Sequence, residues 1–232
     1  MGRTTRWLAL AAAGVFAPGL AAAQAAFELD VIDLAGVAGA LSQAQASANK
    51  LLEPLGTRLD TRLVAHDAPG DTPRPRAILL ASTAPASASS RLLLAVARPD
   101  VAPATIWIYL PSVLRAAGLP TALEALDGLQ RRELGIALGR VLVHEILHLG
   151  APGRPHASAG LMAARLGRTQ LVESPAQLDA GSKELLVRAG GRLGAALAAG
   201  AARQPANYEV TEDAIEIEAA PVGRERLRAI KP

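Results

Sequence analysis

The 232-residue chain contains no cysteine, and aromatic residues make up only 3% of it, two each of Trp, Tyr and Phe. Without cysteine there is no disulfide scaffold, no thiolate-held zinc or iron–sulfur module and no thiol nucleophile. Few aromatics within a hydrophobic fraction of 50% imply a core built from alanine and small aliphatic side chains. At this length one domain with a sizeable core, or one domain and a tail, is expected. Histidine is scarce too. The four present are the side chains that titrate near neutrality without being perturbed.

The formal charge of +3 has to be read together with the first 25 residues. Arg3 and Arg6 precede the apolar run Trp7–Ala17, followed by Pro18-Gly19 and the small residues Ala21-Ala22-Ala23-Gln24-Ala25. This is the layout of a secretory signal peptide over residues 1–25, and it predicts an exported, periplasmic or extracellular protein. An uncleaved anchor is the competing reading, disfavoured by the shortness of the run and by Pro18. No cysteine is available for N-terminal lipidation. Removing the segment takes two of the 24 basic residues and none of the 21 acidic ones, leaving a net charge of +1. No other stretch is apolar enough to span a bilayer, so no stable membrane span is expected in the mature chain. The arginines of residues 58–98 lack aromatic interleaving, so no nucleic-acid partner is expected.

Along the chain, Phe27–Val37, Thr57–Ala65, Ala77–Leu80, Leu92–Ala97 and Thr105–Leu110 read as strands. A helix is expected over Leu41–Leu55, with Ser42 as a cap and Gly56 as a stop. Asp67–Arg76, with three prolines, and Ser82–Ser90 read as loops. Leu126–Leu149 is the longest helical candidate, apolar nearly all the way round and therefore buried, ended by Gly150 and Pro152. Ser174-Pro175 opens a last helix. The order predicts an α/β fold of the α+β kind, a mixed sheet packed on helices. The chain divides into a signal peptide (1–25), a domain (26–190), and an Ala/Gly-rich linker with a charged tail (191–232); a terminal helix or an added strand around Ile215–Ile217 competes with the tail reading.

On the buried helix Glu133, Arg140, His144 and His148 share one stripe, and polar groups there must be paired, hydrated or bound. His144-Glu145-Ile146-Leu147-His148 is an HExxH sequence. Residues four apart on a helix share a face, so both imidazoles reach one ion while Glu145 sits one position round. Imidazole suits a catalytic Zn²⁺, which takes three protein ligands and leaves the fourth position open. The alternative is two satisfied core histidines beside a salt-bridged glutamate. Three of the four histidines fall in one window, because His156 follows His144 by twelve positions across Gly150, Pro152, Gly153 and Pro155.

The stretch HEILHLGAPGRPHASAGLM resembles the metzincin metallopeptidases, and more closely a group of short bacterial secreted zincin-like proteins. That resemblance implies a zincin-like domain with an HExxH active-site helix and a Met-turn. It makes His144, His148 and His156 the zinc ligands, Glu145 the catalytic base, and Met162 the apolar floor of the metal. The usual glycine three residues after the second histidine is Ala151 here, and the gap to the third histidine is two residues longer. These departures bear on the turn at the helix end. The upstream segments VIDLAGVAGALSQAQASANKLLEPLGTRL and IWIYLPSV are similar in layout to the same group.

The expected activity is zinc-dependent hydrolysis of peptide or protein substrates, with Zn²⁺ as cofactor and Thr105–Leu110 as the edge on which an extended substrate pairs. Tyr109 is expected to pack in its strand rather than serve the oxyanion. Arg140 and Glu133 read as a structural pair, and His66 as a solvated loop residue. Two rivals remain: an exported zinc-binding domain without peptidase activity, acting in adhesion or envelope assembly, and an interaction module whose HExxH is coincidental. Oligomeric state is not legible.

Overall fold

The computed structural model describes residues 25–66, 74–84, 93–101, 103–173, 175 and 178–189. The expected signal segment up to residue 24, Ser174, and the linker and tail from residue 190 lie outside the described residues. Five strands form one mixed sheet: β1 (Ala25–Asp33), β2 (Thr57–Leu63), β3 (Arg76–Leu80), β4 (Ala95–Arg98) and β5 (Thr105–Tyr109). Their order is β2-β1-β3-β5-β4, parallel throughout except for β4, which runs antiparallel to β5. The helices are α1 (Ala38–Leu52), α2 (Leu110–Ala116), α3 (Gly128–Gly150) and α4 (Ala180–Ala189).

Alternation along the strands buries one face of the sheet: Phe27, Leu29, Val31, Leu59, Ala77, Leu79, Ala95, Ile106 and Ile108 all join the core. Side chains two apart point the same way, so this is the period-2 pattern of a half-covered sheet. On the other face Arg62 holds the buried Asp30 with two hydrogen bonds of 3.0 and 3.1 Å, and Arg98 lies 5.6 Å from the ring centroid of Trp107.

The helix layer is unusually close-packed, and the sequence explains how. Helix α1 buries Ala40, Ala44 and Ala48 along one stripe, and α3 meets it with Gly135 and Gly139. A Cβ on Gly139 would sit 2.2 Å from the Ala44 carbonyl oxygen, and one on Gly135 2.6 Å from Gln43 Cβ. Both positions therefore require the absence of a side chain. The abundance of small residues in the composition is used here, as a tight helix–helix seam between α1 and α3.

Several expectations need correction. Helix α1 starts at Ala38, so Ser42 lies inside it, and the residue before it makes no side-chain cap. Gly56 does end the segment, with a left-handed φ of 67°. Strand β1 stops at Asp33, whose carboxylate accepts from the Ala35 N–H. Strand β5 stops at Tyr109, because Leu110-Pro111 opens α2; proline occupies the first turn, where its missing N–H costs nothing. The last helix begins not at Ser174 but at Asp179-Ala180, where Asp179 accepts from the Ser182 N–H. Finally β5 is internal, bracketed by β3 and β4, so the strand expected as the substrate edge is not an edge; β4 is.

Candidate metal centre

Helix α3 is set by a capping box at its start, where Asp127 accepts from the Gln130 N–H at 2.8 Å and Gln130 accepts from the Asp127 N–H at 3.0 Å. From Leu134 to Leu149 all but one of its residues are buried. That burial carries His144, Glu145 and His148 into the interior. The helix runs through Gly150 and is closed by Ala151, whose N–H donates to the Leu147 carbonyl. Gly153, at φ 75°, supplies the left-handed residue of the turn that follows. The chain then returns and brings His156 back to the helix.

The three imidazoles converge. Their ring centroids are 4.8, 4.9 and 5.3 Å apart, and one ring nitrogen from each lies within 4.8 Å of the others. His144 Nδ1 is 2.7 Å from the Leu161 carbonyl oxygen. A carbonyl only accepts, so Nδ1 carries the proton and Nε2 offers a lone pair. That lone pair faces His148 Nε2 at 3.1 Å. Burial and the neighbouring His148 push the His144 pKa down to about 3, so the ring is neutral, the form that ligates metals.

Glu145 is fully buried. Desolvation pushes its pKa up to about 8, opposed by a hydrogen bond from the Ala97 backbone on β4. Its Oε1 has no hydrogen-bond partner among the described residues. The salt-bridged glutamate of the alternative reading is therefore not what is observed. An orphaned buried carboxyl oxygen beside three converging imidazoles fits a divalent cation with imidazole preference. His144, His148 and His156 are the residues that would hold it.

The segment after His156 supports the cluster from below. The Ala157 N–H donates to the Met162 carbonyl at 2.7 Å, Ala157 and Ala163 form a bridge, and Met162 is buried with Leu161. Two successive carbonyls thus serve the site, Leu161 orienting His144 and Met162 tying the residue next to His156.

The remaining sequence assignments divide. Glu133 and Arg140 do not pair with each other: Glu133 binds Arg168 at 2.8 Å, and Arg140 donates to the Gln170 carbonyl at 2.7 Å. The two partners lie beside and within the segment Thr169–Glu173, too far along the chain for spacing to reveal. Tyr109 is buried, and burial raises its phenol pKa. His66 is exposed, at the opposite end of the sheet order beside Leu63–Ala65. The Ala97 contact to Glu145 went unforeseen, since a backbone N–H leaves no trace in sequence.

No helix among the described residues is long and apolar enough to cross a membrane. No protein-family model matches the chain, and no curated protein does. Among solved structures the chain is similar to archaemetzincin from Methanopyrus kandleri, at 13% identity and a TM-score of 0.49, covering 72% of this chain and 97% of that one.

Proposed function

We propose that the chain is an exported zinc-dependent metallopeptidase in which His144, His148 and His156 hold the ion and Glu145 is the general base. The observation that carries this reading is three converging imidazoles together with a buried, half-satisfied carboxyl on the same helix. A structural zinc site is closed by four protein ligands and needs no base. Among the described residues no fourth His, Asp or Glu joins the three, and Glu145 retains an unused oxygen.

When bound, zinc supplies a Lewis acid that polarises a carbonyl and draws the pKa of water towards neutrality. Glu145 takes the proton from the attacking water at Oε1 and delivers it to the leaving amine. A cation nearby counteracts the desolvation that now raises its pKa, so the carboxylate form is available near neutral pH. The Ala97 backbone on β4 favours the carboxylate form of the same group. The outer edge of β4 offers its remaining backbone groups to an extended peptide. Residues 1–25 support export.

The test is metal analysis of the exported chain, followed by cleavage of an unfolded protein by the wild type and by Glu145→Gln. One zinc per chain in both, with cleavage about 10²–10⁴-fold slower in the variant, is expected. Zinc bound in both and no cleavage of any peptide in a broad library leaves the exported zinc-binding domain without peptidase activity as the reading. No zinc at all overturns the metal site.

A further inference from the structure

His144 and His148 are fixed to each other by one helix, but His156 stands on a loop, and something must hold that loop in place. We propose that the ion pair Arg154–Asp179 is a positioning device for His156, an inference that rests on the reading of the three histidines as a zinc site. Downstream of His156 the chain is anchored by the Ala157 N–H on the Met162 carbonyl. Upstream, Arg154 lies two residues before it, and its Nη2 is 3.0 Å from Asp179 Oδ1. The two side chains are 19% and 33% exposed, so the pair is less screened than a surface one.

Asp179 is itself immobilised at the start of α4. Its Oδ1 accepts from the Ser182 N–H at 3.0 Å, and its Oδ2 accepts from Ser182 Oγ. Ser182 is wholly buried. Gly181 lets the guanidinium lie close: a Cβ there would be 3.1 Å from Arg154 Nη2 and 3.3 Å from Asp179 Oδ1. The capped helix is thus a fixed post, Arg154 is the tether, and His156 sits between two anchors. Holding a ligand in place before the ion arrives reduces the ordering that binding must otherwise supply.

The experiment measures zinc affinity by competition with a chromogenic chelator for the wild type, Arg154→Gln, Asp179→Asn, the double variant and His156→Ala. Asn keeps an acceptor for the Ser182 N–H, so Asp179→Asn removes the ion pair and leaves the helix cap. Each single variant is expected to bind zinc about tenfold more weakly, and the double variant no more weakly than either. The visible spectrum of the cobalt-loaded singles should shift towards that of His156→Ala, while the melting midpoint of the metal-free chain stays close to wild type. Arg154→Lys, which keeps the charge but not the planar fork, should fall between. Wild-type affinity and spectrum in both singles overturn the inference alone. So does weaker binding with a wild-type cobalt spectrum and an equal fall in the metal-free midpoint. A wild-type chain that takes up no zinc removes the site and the inference with it.

Discussion

His144 Nδ1–H donates to the Leu161 carbonyl at 2.7 Å, and this one bond couples a candidate ligand on α3 to a loop 17 residues further along. The next carbonyl, that of Met162, receives the Ala157 N–H. The orientation of two histidines therefore depends on where the Leu161-Met162 backbone lies, and the buried Met162 side chain fixes that.

Met162→Ala should destabilise the metal-free chain by about 2–5 kcal/mol through the cavity it leaves, and should also weaken zinc binding. Met162→Leu conserves volume and should cost under about 1.5 kcal/mol with affinity retained. Chemical denaturation with chelator present, paired with a zinc titration, checks both.

The pH dependence of the metal-free chain follows from two shifted groups of opposite sign. Glu145 has its folded pKa raised to about 8, so its contribution is present below the ordinary carboxyl range and is lost as pH rises through 8. His144 has its folded pKa lowered to about 3; its contribution is present above the ordinary imidazole pKa and is lost as pH falls towards 3. Melting midpoints with chelator present should peak in the mildly acidic range and fall on both sides. Glu145→Gln should flatten the alkaline side alone. An alkaline limb unchanged by that variant would contradict the assignment.

Gly139→Ala tests the helix seam. At an open helical position this change stabilises by up to about 1 kcal/mol. Against the Ala44 carbonyl it should instead destabilise by about 1–3 kcal/mol, the usual cost of overpacking. The sign of the change in urea midpoint decides the matter.

Asp127→Ala removes half of the capping box of α3 and should cost about 1 kcal/mol, while Asp127→Asn should cost much less. Because the cap lies at the end of α3 remote from the histidines, zinc affinity measured at a temperature where both variants are folded should not change.

Mass action provides a further check. An ion that binds only the folded chain raises its melting midpoint in proportion to the logarithm of free metal. Zinc should raise the wild-type midpoint, and chelation should reverse the rise. His144→Ala and His148→Ala should abolish the response.

Much of the fold was legible because its signals are local. The alternating runs of β1 and β2, the short apolar runs of β3, β4 and β5 and the all-round apolar α3 appear where the sequence places them, within a few residues. The start of the last helix was displaced further, from Ser174-Pro175 to Asp179-Ala180, where Asp179 rather than Ser174 accepts from the first turn. Helix α2 was missed although Pro111 marks its first turn, since Thr105–Leu110 reads as an uninterrupted strand and only the tertiary structure shows where it stops. The Glu133–Arg140 pairing failed for another reason. Their shared stripe was real, but each found a nearer partner in a segment about 30 residues away, Arg168 and Gln170.

Four residues of helix place His144 and His148 on one face of α3 whatever surrounds them, and a chain with no cysteine offers no thiolate there. The edge of the sheet, the approach of His156 and its anchoring emerge only once the chain is folded. Strand order depends on non-local pairing, which put β4 and its Ala97 N–H against Glu145 and left β5 inside. His156 reaches the other rings through a turn at Gly153, the Ala157 N–H hooked on the Met162 carbonyl and the Arg154–Asp179 ion pair. The strand pairing and the Arg154–Asp179 pair are contacts between distant parts of the chain, and such contacts have no period to read.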